Sequence, residues 1–178
     1  MPNGRLTIST VVLAVTMATH MPAAAENLPM RKTPTPQTTG RVPHVQIGVH
    51  PVPELSKALL ERVGSLPGVQ LGATRVPLPG AVGFRLQDDM SLAHPEVVVG
   101  GREFAQFYPD VSLHASLEPK LALAAIQAGW AVAHPWSSER EGRQGFVMIY
   151  TPTTQAELGV VIQLVEQSYS FVTGRKVD

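Results

Sequence analysis

Apolar residues recur at helical spacing from Glu54 onward, with Leu55, Leu59, Val63 and Leu66 on one face. Pro53 suits the first turn of a helix and Gly64 suits its end. After a Pro67-Gly68 turn the period drops to two. Val69 to Val76 alternates, Pro77 to Gly80 turns, and Ala81 to Asp88 alternates again. In that second run Val82, Phe84 and Leu86 face one way, and Gly83, Arg85 and Gln87 the other. Two such runs around a short Pro/Gly turn predict an antiparallel hairpin.

The pattern continues with a short apolar strand at Glu96 to Gly100, then Gly100-Gly101 before Arg102-Glu103-Phe104-Ala105. Val111 to Leu117 alternates, placing Ser112, His114 and Ser116 opposite Val111, Leu113, Ala115 and Leu117. Pro119 opens a helix through Ala128, stopped by Gly129 before Trp130. Ser137 to Gly145 reads as a solvated loop and Phe146 to Tyr150 as a strand. Thr154 and Glu157 have capping-box spacing. They start a last helix with an apolar stripe of Leu158, Val161, Ile162, Val165, Tyr169 and Val172, which Gly174 closes. Helix, strands, helix, strand, helix gives an α+β single domain, a mainly antiparallel sheet with helices packed on one face.

The N-terminus has a different pattern. Arg5, the apolar run Leu6 to Ala18 and the small residues Ala23-Ala24-Ala25 make the three parts of a secretory signal peptide over residues 1–25. The expectation is an exported chain, periplasmic or secreted, with no integral membrane span after processing. Residues 26–53 carry Pro29, Pro34, Pro36, Pro43, Pro51 and Pro53, which exclude helix and predict a linker, extended or disordered. Val45 to Val49 could add an edge strand. The domain proper is then 54–174.

Composition narrows the function. The chain has 178 residues, 16% charged, with zero formal net charge, so it has no electrostatic footprint for nucleic acid. Removing residues 1–25 deletes Arg5 and no acid, leaving 13 basic against 14 acidic residues. The absence of cysteine excludes disulfides and thiolate chemistry.

The candidate chemistry lies between His94 and Trp136. His94, His114 and His134 are each 20 residues apart, so they form no local metal motif. Strands or loops could still gather them around an ion; alternatively, the two His-Pro pairs serve turn geometry. His114, between Ser112 and Ser116 on one strand face, could meet Arg85 or Gln87 in a concavity fit for a polar ligand or a general base. It could equally lie on a solvated sheet face. Glu96, Arg102 and Glu103 could orient a histidine or hold an anion, or form a structural ion pair. Trp130 and Trp136 could wall an aromatic pocket, although a large aromatic directly after a helix stop, as Trp130 is, more often packs in the core. No nucleophile elbow, phosphate loop or dinucleotide fingerprint is present.

Several of these residues together resemble the luciferase-like domain family, which includes fungal luciferases and short bacterial proteins. They are His94-Pro95-Glu96, Gly100-Gly101-Arg102-Glu103-Phe104-Ala105, His114 with Leu117, and Gly129-Trp130 before His134-Pro135. The resemblance implies an oxygenase without cofactor, adding oxygen to a small enolisable substrate such as a hydroxypyrone. In that scheme His114 or His134 is the base and Arg102 pairs the anion. His94, Glu96, Glu103, Arg85 and Trp130 then line the substrate. A weaker likeness to small MmcQ/YjbR-like proteins implies instead a non-catalytic small-molecule-binding module of the cell envelope. Either way the expected partner is a small-molecule ligand, and the oligomeric state stays open.

Overall fold

Six alternating segments pair into one antiparallel sheet: β3 (Val69–Ala73), β4 (Val82–Leu86), β5 (Glu103–Phe107), β6 (Leu113–Ser116), β7 (Ala131–Ala133) and β8 (Phe146–Ile149), in the order β3-β4-β5-β6-β8-β7. The structure is a computed structural model that describes residues 28–75 and 78–177. The expected signal segment 1–25 lies outside the described residues. A separate two-stranded sheet is formed by β1 (Gln37–Thr38) and β2 (Gln46–Ile47). Four helices complete the α+β fold: α1 (Pro53–Gly64), α2 (Pro119–Gln127), α3 (Trp136–Glu139) and α4 (Gln155–Thr173). No helix among the described residues is long and apolar enough to cross a membrane.

The predicted hairpin is present, with Val69 opposite Leu86 and Ala73 opposite Val82. The core lies between α1, α4 and one sheet face. Leu59 and Val63 of α1 and Val161 and Val165 of α4 close on Phe84, Leu113 and Ala115, all buried. Each large apolar side chain so buried contributes about 1.5–3 kcal/mol. The start of α4 modifies the expected capping box. The Thr154 hydroxyl accepts from the Glu157 amide at 3.2 Å, but the Glu157 carboxylate accepts from the Thr153 amide at 2.7 Å instead of from Thr154.

Three expectations are corrected. Glu96 to Gly100 is not a strand: Pro95–Val97 forms a 3-10 turn, because Pro95 fixes the backbone and donates nothing to a ladder. Gly100 and Gly101, at φ 68° and 83°, then reverse the chain, and the true strand is β5 beyond them. Ala131–Ala133 is a sheet strand too short for its period to register, and α3 occupies the start of the expected 137–145 loop. Finally, Gln46–Ile47 pairs with β1 and does not extend the edge of the main sheet.

The proline-rich residues 28–52 contain no helix, as their composition requires, and they are docked. Trp130 Nε1 donates to the Pro29 carbonyl, the Arg31 amide donates to Ala128 O at 2.8 Å, and the Gln46 amide donates to Asp110 Oδ2 at 2.8 Å. This strap crosses the sheet face opposite α1 and α4.

Two glycines should respond to alanine with opposite signs. A Cβ on Gly145 would lie 1.9 Å from the Leu117 carbonyl oxygen, where β6 meets β8. Gly145→Ala should therefore cost about 2–3 kcal/mol or more. Gly159 is exposed in α4 with nothing within 4 Å, and Gly159→Ala should stabilise by about 0.5–1 kcal/mol. Urea unfolding of both variants checks the pair.

Candidate functional site

The site is organised by strand register. His114 lies in the middle of β6, directly opposite Gln106 of β5 and Met148 of β8. Direct partners share a sheet face, and this is the face away from the core helices. An imidazole there would ordinarily be wet, yet His114 is 1% exposed because the strap lies over it. The strap contributes His44, itself 3% exposed. His134 follows β7, its amide donating to Phe146 O at 3.0 Å and its Nδ1 accepting from the Trp136 amide at 3.1 Å. The third histidine of the cluster is therefore His44, from the segment expected to be a linker.

The three rings form a compact triangle. Ring centroids are 5.2 Å apart for His44–His134, 5.2 Å for His114–His134 and 5.7 Å for His44–His114. Aromatic rings surround them: Tyr108 is 4.2 Å from His114, and Phe146 is 4.5 Å from His134. Burial holds all three imidazoles below their usual pKa. His134 falls to about 4, pushed further by His44 and Arg140. His114 is lowered well below the ordinary value, by burial first and then by His134 and His44. His44 is lowered by burial, against the opposing pull of Asp110. All three are neutral at pH 7, each with one lone-pair nitrogen, and that of His134 accepts from the Trp136 amide. Neither ring nitrogen of His114, nor Nδ1 of His44, meets hydrogen-bond geometry with a partner among the described residues, although the His44 backbone is close enough to His114 to oppose the lowering of its pKa.

Beside the triangle is a cavity of about 280 Å³. Val42, Pro43, Leu78, Trp136 and Phe146 make its apolar walls, and His44, Gln106, Tyr108 and His134 its polar side. The Tyr108 phenol is pushed up to about 12, by burial and then by Asp110 and Glu103, and stays protonated. Tyr108 leads into a strained turn: Val111, a β-branched residue, sits at φ 64°. That turn presents Asp110 to the Gln46 amide and the Ser112 hydroxyl.

Of the expected site residues, the structure brings together His114 and His134 and places the others elsewhere. Arg102 donates to the carbonyls of Leu86 and Met90, bracing a turn, and does not line the cavity. Glu103 accepts from Thr74 Oγ1 at 2.7 Å and from the Arg75 amide at 3.0 Å. Arg85 is exposed and pairs with Asp88 at 2.5 Å, so it does not meet His114. His94 is partly exposed, stacks on Phe171 at 4.3 Å and contacts Glu96 at 3.0 Å. Trp130 is buried against the strap while Trp136 walls the cavity. Ser112 and Ser116 bond to Asp110 Oδ1 and Val97 O.

Comparison with known proteins fits this geometry. Residues 101–168 match the family model described as Luciferase domain. This part of the chain is similar to a luciferase-like domain. The matched stretch runs from β5 into α4 and includes Gln106, Tyr108, His114, His134, Trp136 and Phe146, whereas His44 lies before it. No curated protein and no solved structure matches the chain. Sequence reasoning missed His44, Gln106 and Tyr108. No sequence signal marked His44, because in the alternation His44-Val45-Gln46-Ile47 the polar residues are the buried ones and Ile47 is exposed.

The strap is fastened by a buried ion pair. Arg31 and Glu157 meet at 3.2 Å with side chains 2% and 6% exposed, and Arg31 lies over Trp130 and Tyr150 at 5.5 and 5.7 Å. Burial would raise the Glu157 pKa, but hydrogen bonds from Thr33 and Thr153, with Arg31, outweigh it and hold the carboxyl below its ordinary value. A depressed carboxyl stabilises above its unfolded pKa, about 4.3, and that stability is lost as pH falls through the folded value. Glu157→Gln should therefore cost about 3 kcal/mol at pH 7, by stranding a buried cation. Its deficit relative to wild type should shrink below about pH 4, read from unfolding free energies of both proteins across pH.

Proposed function

We propose that this luciferase-like chain is exported and acts on a small enolisable organic compound bound between strap and sheet. The observation that carries the reading is the cavity beside His134 and Tyr108, apolar on most walls and polar along one side. Its volume is near the lower end for small-molecule sites. A flat ring fits between Trp136, Phe146 and the strap residues Val42 and Pro43. Its hydroxyl or carbonyl would face the imidazoles, Gln106 and the protonated Tyr108. Such a pocket excludes water from an enolate, and dioxygen supplies both the oxygen atoms added and the acceptor for the electrons. Export rests on the three-part pattern of residues 1–25.

A second reading, a non-catalytic binding module of the envelope, is favoured by one observation. A general base works best with a pKa near the operating pH, and His134 lies at about 4. Fluorescence and an oxygen electrode separate the two. A hydroxypyrone probe should quench Trp136 saturably, and Trp136→Phe should remove most of the change. Oxygen uptake on binding supports the oxygenase, saturable binding without uptake supports the module, and no binding overturns both. Mass measurement of chain recovered from the producing cell should find Glu26 at the N-terminus; a retained residue 1–25 segment would contradict processing.

A further inference from the structure

We propose that His44, His114 and His134 form a three-imidazole site for a divalent transition-metal ion, with the fourth coordination position open to the cavity. The triangle has the dimensions of such a site. With metal–nitrogen bonds of about 2.0–2.1 Å and tetrahedral angles, imidazole centroids sit about 3.2 Å from the ion and about 5.3 Å from each other. The observed separations are 5.2, 5.2 and 5.7 Å. One ligating nitrogen from each ring already lies within 4.8 Å of the other two. Ligated nitrogens are about 3.4 Å apart in that geometry, so the rings pivot inward on binding while their centres stay nearly in place.

Burial points the same way. His114 is 1% exposed with neither ring nitrogen paired among the described residues, and His44 is 3% exposed with Nδ1 unpaired. Burying polar nitrogens without partners is costly, and a cation between the three rings would give those of His114 and His44 a common partner with His134. The donor set, nitrogen without thiolate or carboxylate, suits zinc and its neighbours in the first transition row. The Trp136 amide holds His134 at Nδ1, leaving Nε2 as its nitrogen for the ion. Binding there requires the neutral tautomer with its proton on Nδ1, so the ion would take the place of the amide contact as the partner of the ring.

The site differs from the grouping that spacing alone allowed, since His94 is replaced by His44. It also departs from the cofactor-free chemistry implied by the family resemblance. It stands independently of the proposed function, because an ion can bind while the cavity holds no organic molecule.

The test uses the full chain, without a polyhistidine tag, stripped by chelator and titrated with Zn²⁺ or Co²⁺. Native mass spectrometry should find one ion per chain, Co²⁺ should give the intense visible bands of tetrahedral nitrogen ligation, and the thermal midpoint should rise with Zn²⁺. His44→Ala and His134→Ala should each weaken binding at least tenfold, while His94→Ala should leave it unchanged. His114→Ala alters the middle of the sheet; should it fail to fold, His44→Ala still decides, because His44 lies outside the sheet. Absence of saturable binding near one ion per chain overturns the proposal, as does an affinity unchanged in both His44→Ala and His134→Ala. A hydroxypyrone that fails to bind leaves the ion result standing.

Discussion

The Arg31–Glu157 pair is the constraint on which the site depends. It joins the strap to the start of α4, and it does so where both charges are out of water. A pair in that position is held by its partners as much as by its own attraction. Glu157 accepts from the Thr153 amide and hydroxyl, from Thr33 and from Arg31, while Arg31 lies over Trp130 and Tyr150. With Arg31 fixed at one end and Gln46 bonded to Thr151 and Asp110 further on, the residues between them have little freedom. His44 is delivered within that span.

The sheet explains why such a lid is needed. One face is a conventional core, and its residues alternate with those of the other face along β5, β6 and β8. On the other face Gln106, His114, Tyr108 and His134 would be an unremarkable wet surface if left open. Covered by the strap, the same residues become a buried polar layer lining a cavity. Low dielectric then acts on all of them together, lowering the histidines and raising Tyr108. The shifts are thus properties of the covered face, and no single neighbour accounts for them.

Local pattern made most of the fold legible. The stripes of α1 and α4, the β3–β4 hairpin, and the alternation that sets His114 opposite Leu113 and Ala115 are all features of a few adjacent residues. What escaped depends on distant ones. Val97 and Val98 are apolar because they join the buried core, so hydrophobicity without alternation suggested a strand where Pro95 starts a 3-10 turn. Arg102 and Glu103 looked chemical because charged residues stood beside a glycine pair, yet Arg102 bonds to the carbonyls of Leu86 and Met90, and Glu103 to the Arg75 amide and the side chains of Thr74 and Gln106. His44 escaped for the opposite reason. Proline density dictates an extended backbone, but nothing in it tells a free linker from a strap docked through Arg31 and Gln46.

The division of the cluster between two parts of the chain has a consequence for how the domain works. The stretch matching the luciferase domain contains His114 and His134, whereas the third ring comes from outside it. The sheet alone would present two histidines on an open face, with water able to satisfy their nitrogens. Docking of the strap changes three things in one step: it adds His44, removes that water, and supplies Val42 and Pro43 as a cavity wall. Chemistry at this site is therefore coupled to an ion pair between Arg31 and Glu157, two residues that do not line the cavity. A domain bearing the same two histidines without such a strap would have the same sheet and a different pocket.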